Sequence, residues 1–208
     1  MKAFLKFLLM ADLGFLLGGE LAILQAHHGF SAAAPKAAAV GTVKSVPDPD
    51  AKEHIGGPFS LVDQTGRAVT EKSWPGKYKL VYFGFTHCDD TCPATLQKIA
   101  DVLQRLAPAA AAKVVPLFIT VDPARDGVMA LAEYLLRFHS PALVGLTGTA
   151  AQIAAAEKTY HVYAGGKGTP ESHSSYVYLM SPDDTLAQVF DQDISAADLQ
   201  AGINKYVK

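Results

Sequence analysis

The chain has 208 residues, 50% of them hydrophobic and 18% charged, with a formal net charge of -2 at pH 7. Length and apolar content fit one domain with a full core plus some extra sequence. The slightly negative charge excludes a general nucleic-acid-binding surface, which would be basic, and leaves small molecules, metals or proteins as partners.

At the N-terminus Met1, Lys2 and Lys6 supply positive charge ahead of an apolar run from Phe7 to Ala26. That is the pattern of a secretory signal or membrane anchor, so residues 1–26 are expected to be an export segment. Asp12 and Glu20 would each be costly at mid-bilayer, which counts against a retained transmembrane helix. The plainer alternative is an amphipathic helix of the folded domain. No cysteine ends the run, and a lipid-modified anchor is therefore not expected. Residues 27–45 contain Ser31 to Ala39, an Ala-rich tether or cleavage region, and residues 46–208 are expected to fold.

Phe59 to Val69 alternates around Gln64-Thr65-Gly66, which predicts an N-terminal β-hairpin. Trp74-Pro75-Gly76-Lys77 is a turn. Tyr78 to Phe85 is apolar nearly throughout and predicts a strand buried on both faces. Pro93 suits the first position of a helix, and Leu96, Ile99, Ala100, Leu103 and Leu106 follow at helical spacing. Val114 to Val121 is a second buried strand, followed by a helix over Val128 to Phe138, a short strand over Leu143 to Leu146 and a helix over Ala150 to Tyr160. After a Gly-rich loop at Gly165 to Gly168 come the strands Tyr176 to Met180 and Leu186 to Phe190, with a turn at Ser181 to Asp184. Ser195 caps a last helix running to about Val207. Strands alternating with helices, then a hairpin and a helix, describe an α/β protein of the thioredoxin type, a mixed sheet flanked by helices.

The only two cysteines, Cys88 and Cys92, stand in Phe83-Gly-Phe-Thr-His-Cys-Asp-Asp-Thr-Cys-Pro93, between a buried strand and a helix. Within one helix their Cβ atoms would be about 5–6 Å apart, beyond the ~3.5–4.5 Å a disulfide needs. With Cys88 in the preceding loop, both a disulfide and a two-thiolate metal clamp are feasible. Outside the cytosol such a pair oxidises unless it is held reduced or metallated. A staple closing so short a loop would constrain the unfolded chain little, which weakens a purely structural role. The helix N-terminus should favour the Cys92 thiolate, whereas Asp89 and Asp90 oppose it, a repulsion that a bound cation would relieve. Two thiolates suit Cu(I), and an added imidazole also accommodates Cu(II). The seven histidines, His27, His28, His54, His87, His139, His161 and His173, are the candidates. Single histidines are usually surface or core residues, and His87 is most simply a solvent-facing neighbour of Cys88. His173 lies in a polar loop leading into a strand, from which it could face the active end of the sheet.

Five stretches occur in order: Phe59-Ser-Leu-Val-Asp-Gln-Thr-Gly66, Tyr82-Phe-Gly-Phe-Thr-His-Cys-Asp-Asp-Thr-Cys-Pro93, Phe118-Ile-Thr-Val-Asp-Pro-Ala-Arg-Asp126, Gly145-Leu-Thr-Gly148 and His173-Ser-Ser-Tyr-Val-Tyr-Leu179. Together they resemble the SCO/SenC family of copper proteins, which assist cytochrome c oxidase assembly. The resemblance implies a thioredoxin fold holding one copper, Cu(I) and/or Cu(II), on Cys88, Cys92 and His173. It implies that Asp122 is the acidic residue near that site. Asp122, Arg125 and Asp126 also have a plainer reading as a salt-bridged loop and helix cap, preferred for Arg125 and Asp126. The chain departs from the family pattern at Asp89, where proline is usual, and at Ser172, where aspartate is usual. Both changes bear on metal affinity and thiol acidity rather than on the ligand set.

The function implied is copper delivery to the binuclear site of cytochrome c oxidase, from the periplasmic side of a bacterial inner membrane, by a protein either anchored or secreted. Its partner would be the copper-bearing subunit of the oxidase. Another periplasmic copper chaperone or a thiol reductant is a further expected partner, and the N-terminus would contact the membrane if uncleaved. The rivals are a thiol–disulfide reductase using Cys88 and Cys92, which lacks the usual Cys-x-x-Cys spacing, and a copper or redox sensor.

Overall fold

Residues 54–163 and 174–208 are described by the structure, a computed structural model. The expected export segment (1–26), the tether (27–45) and His173 lie outside the described residues. The described residues belong to a unit spanning Pro47–Lys208. No helix among them is long and apolar enough to cross a membrane.

The strands are β1 (Ser60–Asp63), β2 (Ala68–Thr70), β3 (Tyr78–Gly84), β4 (Val114–Thr120), β5 (Val144–Thr147), β6 (Tyr176–Met180) and β7 (Leu186–Asp191). The helices are α1 (Thr91–Arg105), α2 (Pro108–Ala111), α3 (Val128–Leu136), α4 (Ala150–Thr159) and α5 (Ala196–Tyr206), with a 3₁₀ turn at Glu71–Ser73. One seven-stranded sheet has the order β2-β1-β5-β4-β3-β6-β7. Its centre is parallel, β3 with β4 and β4 with β5, while β1–β2, β1–β5, β3–β6 and β6–β7 are antiparallel. This is the mixed, helix-flanked sheet of the thioredoxin type that the order of elements predicts.

The apolar run of β3 has the reason expected of a doubly covered strand: its alternate side chains enter different cores. Leu80 and Tyr82 pack with Leu96, Ile99 and Leu103 of α1, Leu131 and Tyr134 of α3, and Leu199 and Ile203 of α5. Val81 and Phe83 point the other way, into a second core with Leu61, Leu117, Ile119, Ile153 and Tyr178. The helical stripe predicted from Leu96 to Leu106 is buried in the first core, on the side that also contains Cys92.

Candidate metal centre

Parallel pairing sets Gly84, the last residue of β3, beside Thr120, the last residue of β4. The loops that follow therefore leave the same edge of the sheet side by side. This is the carboxyl end of parallel strands, where open α/β sheets bind ligands. One loop carries Thr86, His87 and Cys88 into α1; the other carries Asp122, Arg125 and Asp126 towards α3.

α1 begins earlier than Pro93 suggests. Asp90 is its N-cap and Thr91 its first residue, so Cys92 is second and Pro93 third. Proline fits there because the N–H groups of the first turn have no intrahelical acceptor. Asp90 makes no side-chain cap hydrogen bond. Instead the Cys92 N–H donates to Cys88 Sγ at 3.4 Å, so the first sulfur caps the helix that carries the second. Both thiols are free, Cys88 half-buried and Cys92 buried.

Cys92 is 0% exposed, and the Tyr82 hydroxyl donates to its Sγ at 3.6 Å. Burial pushes the Cys92 thiol up to about 12, outweighing the hydrogen bonds from the Phe85 backbone and the Tyr82 hydroxyl that favour the thiolate. The helix N-terminus thus does not yield the ready thiolate predicted from sequence, because desolvation disfavours the charged form. A metal bound here at neutral pH must displace that proton.

The space for Cys92 depends on Gly84. A Cβ built there would lie 2.8 Å from Cys92 Sγ and 2.8 Å from the Phe118 ring. Gly84→Ala is therefore expected to cost about 1–3 kcal/mol, the range for overpacking a filled core. Urea unfolding should show a lower midpoint with an unchanged slope.

Asp126, read from the sequence as part of a salt-bridged loop and helix cap, is a loop anchor rather than a cap, a role that sequence reasoning missed. It is 0% exposed, and the cap of α3 is Gly127 instead. Its carboxylate accepts the Thr86 N–H at 2.9 Å, the Thr86 hydroxyl at 2.6 Å and the Thr120 hydroxyl at 2.7 Å. His87 Nδ1 lies 3.6 Å from the same carboxylate and 3.0 Å from Thr86 Oγ1. Asp126 thereby ties the thiol loop, two residues ahead of Cys88, to the end of β4. Asp122 is buried beside it, but its carboxylate pairs with Arg125, and its N–H donates to Thr120 Oγ1 at 2.9 Å.

His54, His139 and His161 are exposed, as is His87. Among the described residues no three or more His, Cys, Asp or Glu side chains form a group that could hold a metal. The strand that follows His173 does reach this edge. Tyr82 pairs with Val177, so β6 begins, at Tyr176, next to the end of β3. Tyr163 and Ser174, which flank residues 164–173, are tied by a Ser174 N–H to Tyr163 carbonyl bond of 2.9 Å and a Tyr163 N–H to Ser174 Oγ bond of 3.2 Å.

Residues 47–208 match the family model described as SCO1/SenC. A mitochondrial SCO1 homolog 1 of Arabidopsis thaliana is 40% identical over 162 residues, covering 76% of this chain and 48% of the relative. The chain thus spans about half the length of that relative. The copper-bound crystal structure of Arabidopsis thaliana ScoI superposes with a TM-score of 0.68 at 40% identity, over 74% of this chain and 98% of that one. Copper-bound ScoI of Bradyrhizobium japonicum gives 0.63 at 40% identity, over 73% and 99%.

Proposed function

The chain belongs to the SCO1/SenC family, and from that premise we propose that it carries one copper ion, as cargo, to the binuclear copper site of cytochrome c oxidase. Cys88, Cys92 and His173 are the ligands, and the copper-bearing subunit of the oxidase takes the metal by ligand exchange. This is carriage rather than turnover, performed on the periplasmic side of a bacterial inner membrane.

The observation that carries the reading is the paired thiols at the carboxyl end of β3, one half-buried and one buried. Soft thiolates select copper in its Cu(I) state, and an imidazole extends the site to Cu(II). Copper on the two related ScoI structures supports it, as does the start of β6 at the same edge as the thiol loop. Asp126 and Gly84 then act as orienting residues, one fixing the loop of Cys88 and the other giving room for Cys92 Sγ. Asp122 serves beside the site by holding Arg125.

A half-exposed thiol above a buried one is also the arrangement of an attacking and a resolving thiol. The second reading is therefore a reductase that keeps the oxidase's copper-ligand cysteines reduced through a mixed disulfide. The two separate when loaded protein is mixed with the isolated, reduced copper domain of the oxidase. Carriage predicts that copper appears on the acceptor and leaves the donor. If instead an oxidised acceptor is reduced, and His173→Ala does this as well as wild type while Cys88→Ser does not, the reductase is correct.

A further inference from the structure

The two thiols of the pair are not equivalent: they differ in burial, and Cys92 alone accepts the Tyr82 hydroxyl. Cys88 is half-buried and its sulfur accepts the Cys92 N–H. The Cys92 sulfur is fully buried and accepts from the Tyr82 phenol at 3.6 Å. That phenol is fixed. Tyr82 is 1% exposed, its ring stacks on Phe118 with centroids 6.2 Å apart and planes 25° apart, and its backbone is held on both sides by β4 and β6. Phenylalanine would fill the same space without burying a hydroxyl, so the oxygen is what Tyr82 adds.

We infer that Tyr82 is a positioning residue whose hydrogen bond to Cys92 Sγ tunes the copper clamp towards Cu(I); this rests on the copper reading given above. A hydrogen bond to a ligating sulfur draws charge away from it and weakens its donation to the metal, one of the ways proteins set the potential of thiolate-bound copper. Cu(II) depends more on that donation than Cu(I) does, so the donor favours the reduced ion. The same bond keeps the Cys92 sulfur from turning, leaving the half-buried Cys88 as the thiolate that an incoming acceptor displaces first.

The test compares wild type, Tyr82→Phe and Tyr134→Phe, each loaded with copper after reduction of the thiols. Tyr134 is the control, because it lies in the same aromatic layer, 5.8 Å between centroids from Phe118, but its buried hydroxyl has no hydrogen-bond partner among the described residues. Tyr82→Phe is expected to move the thiolate-to-Cu(II) charge-transfer band to longer wavelength. It should also lower the ratio of Cu(I) to Cu(II) affinity about tenfold, which corresponds to about 59 mV for a one-electron couple. Tyr134→Phe, whose phenol is near both thiols but bonds neither, should move both much less. An unchanged band and ratio in Tyr82→Phe, or an equal shift in Tyr134→Phe, overturns the role of the hydrogen bond while leaving the copper site standing. A wild-type protein with no thiolate band removes the copper reading and the tuning with it.

Discussion

Asp126→Ala is expected to lower the melting temperature by about 6–12 °C, the largest stability loss available around the site. The substitution removes the acceptor of three donors, the buried Thr120 hydroxyl and the half-buried Thr86 N–H and hydroxyl. The buried donor left without a partner costs about 1–3 kcal/mol and each half-buried one about 0.5–1.5 kcal/mol, so about 3 kcal/mol is lost. In a folded unit of this size each kcal/mol lowers the melting temperature by about 2–4 °C. Asp126→Asn keeps one acceptor oxygen and should lose roughly half as much. The loop that Asp126 anchors carries Cys88, so copper affinity should fall along with stability. Scanning calorimetry of the copper-free protein checks the first effect. A melting temperature for Asp126→Ala within 2 °C of wild type would show that Asp126 does not anchor the loop.

The second large effect separates the two cysteines. Cys88→Ser and Cys92→Ser should each lower copper affinity more than a hundredfold, since loss of an orienting partner alone costs a metal site about 10–100-fold. Their stabilities should differ. Serine at position 88 can still accept the Cys92 N–H, and the site is half-buried, so the change should stay within about 0.5 kcal/mol. Serine at position 92 puts a smaller, more polar group at a fully buried site whose neighbours are mostly apolar, the Tyr82 hydroxyl apart, at about 1–3 kcal/mol. Equal unfolding midpoints for the two variants in urea would contradict the burial of Cys92.

The strongly periodic parts of the fold were legible in the sequence. β6 runs from Tyr176 to Met180 as read, and Ser195 caps α5 through the Asp198 N–H. The start of α1 was displaced because proline is tolerated anywhere in a first helical turn, so Pro93 marks that turn and not its first residue. α2 and the 3₁₀ turn, four and three residues long, are too short to show a period. At the site, residue type exposed the thiols but not their surroundings. Tyr82 looks like any aromatic residue of a buried strand until α1 folds back and lays Cys92 against it. Asp126 looks like a loop acid until the parallel register of β3 and β4 brings Thr86 and Thr120 to it. The one signal available was chemical, an aspartate in a short loop after one buried strand and a Thr-His pair after the other. The expected ease of ionising Cys92 failed for a related reason: helix position is local and visible, whereas desolvation is tertiary. His173 rests on the family resemblance, with the register of β6 as support.

The three-ligand site is tested most directly by titrating the reduced protein with copper while following thiolate-to-Cu(II) absorption, in wild type and in His173→Ala. Wild type should bind one equivalent and develop the band. His173→Ala should bind more than a hundredfold more weakly, with a changed spectrum. Unchanged affinity and an unchanged band in His173→Ala would show that the clamp does not include this imidazole.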